Sequence, residues 1–481
     1  MALLESGTWE ARLFDGEWRP AAVTAPVVEP ATGATLATVG LATPEGVGPA
    51  ARAAAEAGKV WAATPFTERA AVLRRAGALF EAHAEEIQTW LVREAGSVPA
   101  KAAFETHLAV EECFEAAALA SAPLGQLLPT EKPRLSMARR VPVGVVGVIA
   151  PFNAPLVLAL RSVAPALALG NAVVCKPDPR TAVCGGVVIA RVLEAAGLPP
   201  GLFHLLPGGA DTGSAICTDP NIRVVSFTGS TAAGRRVGEL AGRHLKRAHL
   251  ELGGNSALLV LDDADLELAV SAAAFGSFFH QGQICMTTGR HLVHADLHDD
   301  YVEALAAKAE GLAVGDPHTS EVHLGPIIDA AQRDRVHALV TAGGTVAAGG
   351  EYTDLFYRPT VIADVGDDTP AWRDEVFGPV APVRAFRDAD EAVALASQGE
   401  YGLSLSIIGA DAMRALAIAE RLPTGIVHVN DQTVDDEANA PFGGVGASGT
   451  GARFGGREAN LEAFTETRWI TLRGHVQPYP F

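Results

Sequence analysis

From residue 141 onward the chain alternates between two kinds of segment, and this alternation constrains the fold more than any other feature. Short runs rich in Val, Ile, Leu and Phe occur at Val145–Ile149, Ala172–Cys175, Leu202–Leu205 and Arg223–Phe227. Segments with helical spacing separate and follow them, at 155–169, 181–196, 209–217 and 232–241. A short apolar run bounded by turn formers reads as a strand buried on both faces. Strands linked through a helix run parallel, because parallel neighbours need a crossover. The pattern predicts βαβ units and an α/β fold with a parallel sheet. A second alternating region begins at Ala257–Leu261, with further strands near His291–His294, 344–348, 380–386 and Gly425–Val429. Helices are expected near 265–279, 298–311, 389–397 and 411–421. It reads as a second α/β domain, with a boundary near Leu250–Gly254.

The remainder frames these two regions. Residues 45–63, 67–95 and 99–121 have helical character; Arg69, Val72, Leu73, Ala76, Leu79 and Phe80 form a stripe of period near 3.6. Pro123, Gly125, Pro129 and Pro133 mark an extended or irregular segment. Phe464–Leu472 looks like an isolated strand that needs a partner from elsewhere in the chain or from another subunit. A length of 481 residues fits two or three domains. The formal charge of −19 argues against nucleic acid or an anionic membrane as partner. Five cysteines without CxxC spacing argue against a zinc site or a disulfide framework, and suit a reducing cytosol. The start, Met1–Trp18, lacks the apolar core of a signal peptide, and no run is long enough to span a bilayer.

Several segments could carry chemistry, although each also has an ordinary structural explanation. Cys285 follows Gly282-Gln283-Ile284 in a polar, turn-like stretch, surroundings that suit a reactive thiolate better than those of the other cysteines; a buried structural thiol is the plainer alternative. Glu251, between Leu250 and Leu252, should be partly desolvated, which raises a carboxyl toward the range of a general base; it could equally be a strand-end residue in an ion pair. Phe227-Thr228-Gly229-Ser230 leaves a strand and opens a helix, with Gly234 five residues beyond Gly229. A helix N-terminus there could hold an anion, but GxxxxG is not the dinucleotide fingerprint. Lys176 ends a strand, where ligands of open parallel sheets bind.

Together and in order, the motifs are far more specific than singly. They are Ala150-Pro151-Phe152-Asn153, Lys176-Pro177, Phe227-Thr228-Gly229-Ser230, Glu251-Leu252-Gly253-Gly254, Gly282-Gln283-Ile284-Cys285, Glu375-Val376-Phe377-Gly378-Pro379 and Pro441-Phe442-Gly443-Gly444. The chain resembles the aldehyde dehydrogenase superfamily over essentially its whole length, including the 34 residues from Glu251 to Cys285. The resemblance implies a Rossmann-type cofactor domain (1–122 and 141–250) and a second α/β catalytic domain (251–430). It also implies a small bridging β segment for oligomerisation (123–140 and 460–481) and a substrate-tunnel loop region (431–459). Cys285 would attack an aldehyde, Asn153 would stabilise the oxyanion, and Glu251 would activate the water that hydrolyses the thioester. Lys176 and Glu375 would hold ribose hydroxyls of NAD, Phe377 would pack nearby, and Gly229–Gly234 would underlie the pyrophosphate. Ile149, Pro151, Phe152, Gly209, Phe227, Ser230 and Leu252 would complete the cofactor site. No metal is implied, and a homodimer or homotetramer is.

Departures from the common pattern sharpen the expectation. Pro179 stands where relatives often carry a ribose-binding Glu, so NADP should be tolerated, with Arg180 available to attract its phosphate. Ala154 stands where Phe is frequent, and Arg161 where a large apolar residue is. The run from His428 to Gly449 looks like the benzaldehyde, vanillin and salicylaldehyde dehydrogenase branch. The aldehyde tunnel should be lined by Ala154, Leu158, Arg161, Ile284, Met286 and Phe442, with Arg161 facing a substrate phenol or carboxylate, or else salt-bridged to a neighbouring acid. Aliphatic or semialdehyde oxidation is the alternative within the class, and a thiol esterase is the alternative outside it. A CoA-acylating enzyme is disfavoured by the presence of Glu251. A non-catalytic scaffold is disfavoured by the retention of Cys285, Asn153 and Glu251 together.

Overall fold

The computed structural model describes residues 2–481. Two seven-stranded sheets carry most of the chain. In the first, five parallel strands lie in the order Arg247–Glu251, Ile222–Thr228, Val145–Ile149, Ala172–Lys176 and Phe203–Leu205. The chain starts at the central strand, moves outward to 203–205, then returns to add the remaining two on the other side. That reversal leaves a crevice at the carboxyl ends of 145–149 and 222–228, the place where open α/β sheets bind ligands. Short antiparallel strands Arg12–Phe14 and Trp18–Pro20 close the far edge.

The second sheet has the order Thr345–Ala348, Thr360–Ala363, Val380–Phe386, Thr288–His294, Ser256–Val260, Ser404–Ile408 and Ile426–Val429. All neighbours are parallel except the first pair. Residues 252–255 alone connect the last strand of the first sheet to the first strand of the second.

Two strands of the second sheet, 360–363 and 404–408, lie outside the sequence reading. In the latter, Ser404 and Ser406 interrupt the apolar run, yet both are buried, their hydroxyls donating to the carbonyls of Thr433 and Asp431. The expected helix over 67–95 breaks at His83 into Phe66–Ala82 and Ala84–Ala95. The expected helix from 181 opens with a π-helical turn at Val183–Val187, where buried Glu94 accepts from the N–H groups of Val183 and Cys184.

The tail strand finds its partner within the chain. Thr465–Leu472 pairs antiparallel with Leu135–Pro142 along its whole length, and Gly125–Leu127 flanks the other side. The two segments that lack a place in either large sheet therefore satisfy each other. The outer edge of 465–472 remains open, with Trp469 66% exposed. Among the described residues all five cysteines are unpaired, and no helix is long and apolar enough to cross a membrane.

Candidate active site

The first sheet delivers Ile149 and Lys176 at strand ends and Phe227 near the end of the adjacent strand. Lys176 is buried: its Nζ donates to the carbonyls of Gly208 (2.8 Å) and Pro177 (3.2 Å), and burial lowers its pKa. Its stem packs against Gly213, in the helix that Gly209 caps. Ser230 caps the helix Thr231–Arg243, its hydroxyl accepting from the Ala233 N–H. Two helix N-termini thus face the carboxyl edge of the sheet, the donor arrangement that suits a diphosphate. Gly229 and Gly234 have a packing reason beyond the ligand approach read from sequence. A Cβ at 229 would lie 2.7 Å from the Phe227 ring, and one at 234 would overlap Leu252.

The second sheet contributes Glu375, Phe377 and Cys285 through loops. A mesh of glycines explains why these motifs recur together. A Cβ on Gly253 would overlap the Glu375 carboxylate, and one on Gly254 the Cys285 carbonyl. A Cβ on Gly282 would overlap the Gly378 carbonyl, and one on Gly443 would lie 2.7 Å from Glu251 Oε1. The Gly254 N–H donates to Glu375 (2.9 Å), whose carboxyl burial pushes up to about 7. Phe377 holds a left-handed conformation (φ 54°), which the Gln332 side chain secures by donating to its carbonyl at 2.8 Å. Its ring meets Phe152 edge-on at 5.8 Å.

Around the thiol the structure corrects the sequence reading. The glutamines flanking Cys285 turn away from it. Gln281 donates to the carbonyls of Gly96 and Pro326, and Gln283 accepts from the Ile328 N–H. His280 and Gln281 both take positive φ, a strained turn that these bonds hold in place. Cys285 packs against the buried cluster of Met286, Leu403 and Phe442, which Ile284, Ile426 and Val434 also flank. Burial, together with the carboxylates of Glu375 and Glu251, pushes its thiol up to about 12, against an opposing pull from Arg161. Of the five cysteines it alone is partly exposed; the other four are buried.

Glu251 is 2% exposed, and neither carboxylate oxygen has a hydrogen-bond partner among the described residues. Burial raises its pKa well above the carboxylate range, although Arg161 and Arg453 pull it back. Asn153 is buried too, in the turn before the helix Pro155–Ala168. The Lys101 ammonium holds its carbonyl at 2.8 Å and is paired with Glu105, which in turn accepts from the Leu156 N–H at the start of that helix.

Arg180 differs from expectation, whereas Arg161 takes the second of its two expected places, in an ion pair with a neighbouring acid. Arg180 is not free to attract a phosphate: it lies 4.3 Å over the Phe152 ring and is paired with Asp178 (2.8 Å) and Asp329 (2.6 Å). Arg161, two turns beyond Ala154 on one helix face, is ion-paired to Asp436 and stacked 4.4 Å over Phe442. Ala154 and Leu158 form a small apolar cluster with Val157 and Leu108.

Comparison with known proteins agrees with this architecture. The model of the aldehyde dehydrogenase family matches residues 18–470. The chain belongs to the aldehyde dehydrogenase family. A vanillin dehydrogenase from an Amycolatopsis species is 67% identical over the full length of both chains. The benzaldehyde dehydrogenase [NAD(+)] of Pseudomonas putida is 50% identical over 99% of each. Among solved structures, betaine aldehyde dehydrogenase from Staphylococcus aureus in complex with NAD+ superposes with a TM-score of 0.94 at 29% identity, covering 99% of this chain and 97% of that one. The two large sheets and the small three-stranded one are thus an aldehyde dehydrogenase fold.

Several residues placed at the site of this aldehyde dehydrogenase escape a reading of the sequence. Lys101 and Glu105 are spaced i, i+4, which marks a helix-surface ion pair as readily as a buried one. Gln332, Asp436 and Arg453 sit in segments whose only local signal is polarity, and tertiary packing brings them in.

Proposed function

We propose that this aldehyde dehydrogenase oxidises aromatic, benzaldehyde-type aldehydes to carboxylic acids with NAD+. The observation that carries the reading is the apolar and aromatic surroundings of the thiol: Cys285 packs against Met286, Leu403 and Phe442, while Asn153 is followed by the small Ala154, which packs with Leu108, Val157 and Leu158. The names of the vanillin and benzaldehyde dehydrogenases that it resembles support the same choice.

In this reading Cys285 Sγ loses its proton to solvent water and bonds to the aldehyde carbon, whose oxygen takes the negative charge. The Asn153 amide and the Cys285 N–H donate to that oxygen, a stabilisation worth most in a water-poor site. NAD+ fits the carboxyl edge of the first sheet, where Lys176 and Glu375 would hold ribose hydroxyls and the helix at 231 would receive the diphosphate. The chemistry the nicotinamide supplies there is acceptance of the hydride from the adduct carbon, which leaves a thioester on Cys285. Glu251 then takes a proton from water, the hydroxide adds to the thioester carbonyl, and the acid leaves as the thiol is restored. The high proton affinity of buried Glu251 suits it to this step.

Pro179 places no carboxylate at its position, which supports tolerance of NADP, whereas the pairing of Arg180 removes the attraction expected from it. The open edge of strand 465–472 supports a homodimer or homotetramer, and five unpaired cysteines support a cytoplasmic location. The division between cofactor and catalytic domains falls at Leu250–Gly254, where the chain passes from one large sheet to the other. The test is kcat/KM for benzaldehyde, salicylaldehyde, vanillin, acetaldehyde and hexanal, repeated with Ala154→Phe. Aromatic aldehydes should win, and Ala154→Phe should erode their lead. Victory for acetaldehyde or hexanal would refute the aromatic reading.

A further inference from the structure

The Arg161–Asp436 pair is built with open hydrogen-bonding capacity. Arg161 is 2% exposed, and one terminal nitrogen pairs with Asp436. Its Nε and Nη1 are buried without a partner among the described residues, as is Oδ1 of Asp436. Burying two donors and one acceptor unpaired is costly, and native structures rarely do so without purpose. The vacancies match the inventory of one hydroxyl group, which donates one hydrogen bond and accepts two.

The pair also sits beside the cluster against which the thiol packs. The guanidinium covers a face of Phe442, and Phe442 packs in the same cluster as Cys285. Val434 of that cluster lies two residues before Asp436. Along the helix, Arg161 is seven residues beyond Ala154, about 10 Å at the usual rise, and helical side chains lean back toward the N-terminus. A flat ring whose aldehyde carbon meets Cys285 beside Asn153 would present its far side to this pair.

We propose that Arg161 and Asp436 form a subsite for a neutral hydroxyl on the aromatic ring, opposite the aldehyde. The hydroxyl donates to Asp436 Oδ1 and accepts from Arg161 Nη1 or Nε. A ring carboxylate is disfavoured, because Asp436 already pairs with the single buried guanidinium. This inference rests on the aromatic reading above and names its preferred substrate class: 4-hydroxylated benzaldehydes. A site built to bond a hydroxyl rejects the analogue that lacks one far more strongly than an apolar pocket can.

The experiment compares kcat/KM for 4-hydroxybenzaldehyde, its near-isostere 4-methylbenzaldehyde, 4-carboxybenzaldehyde and benzaldehyde, at a pH where the phenol stays protonated. The unaltered enzyme should favour hydroxyl over methyl by tenfold or more and turn over the carboxylate least. In Asp436→Asn the hydroxyl-to-methyl ratio should fall at least tenfold. Calorimetric Kd values for 4-hydroxybenzyl and 4-methylbenzyl alcohol on the Cys285→Ala protein should show the same ranking without turnover. Equal handling of hydroxyl and methyl by the unaltered enzyme, or an Asp436→Asn variant that loses both alike, would overturn the subsite while leaving the aromatic reading intact. Preference for hexanal over every benzaldehyde would instead strike the aromatic reading itself.

Discussion

Replacing Glu251 by Gln separates two steps that the structure couples. Burial and the neighbouring carboxyls of Glu375 and Glu251 push the Cys285 thiol up, to about 12. The Glu251 charge is one cause of that rise, after burial and Glu375. Glu251→Gln removes a like charge and keeps the volume, so thiol addition and hydride loss should persist. Hydrolysis loses its base, a group typically worth about 100- to 10,000-fold. The expected result in stopped flow is a burst of about one equivalent of reduced nicotinamide per site, followed by a steady state lower by that factor. Mass spectrometry should then find the acyl group on Cys285, and alkylation of the thiol by iodoacetamide should begin at lower pH than in the unaltered enzyme. If burst and steady state disappear together, Glu251 acts before hydride transfer and the assignment of the hydrolytic base is wrong.

Cys285→Ala should abolish both burst and turnover while NAD+ binding by calorimetry survives; measurable turnover would remove Cys285 as nucleophile. NADP should support turnover at high concentration, but with a higher KM than NAD, since Arg180 is already paired with two carboxylates; a lower KM for NADP would contradict this. Buried Glu112 has its carboxyl pushed up to about 8 from 4.5 by desolvation, partly offset by Arg161. A raised carboxyl means that the folded state holds the proton, so stability falls as pH rises from 4.5 to 8. The loss is about 5 kcal/mol at 1.36 kcal/mol per unit. Glu112→Gln should remove that slope. For 481 residues at about 2.1 cal/mol/K each, Tm relative to the unaltered protein should rise by about 5 °C between pH 5 and 9, and a flat difference would refute the burial argument. Light scattering should find a homodimer or larger, and a stable, active monomer would contradict the proposed role of the open strand edge.

The two parallel sheets were legible in the chain because their strands are buried on both faces. Val145–Ile149 appears as an unbroken apolar run with no polar face to confuse the period. The spacing of Glu251 and Cys285, and the glycines between and after them, were equally visible. Their reason was not: Gly253, Gly254, Gly282 and Gly443 are small because backbones and carboxylates from distant loops touch there, a fact that no local pattern encodes. The strand at 404–408 stayed hidden because Ser404 and Ser406 point inward and are satisfied by carbonyls about thirty residues away along the chain. Electrostatics was the part most thoroughly decided by packing. Polar neighbours in sequence suggested a reactive Cys285, but Gln281 and Gln283 bond elsewhere, and the partly exposed thiol packs instead against Met286, Leu403 and Phe442. Arg161 and Asp436 lie 275 residues apart, and only the tertiary fold makes them a pair. A sequence fixes which groups are present and which segments can bury them; the charge each group carries depends on what long-range packing sets against it.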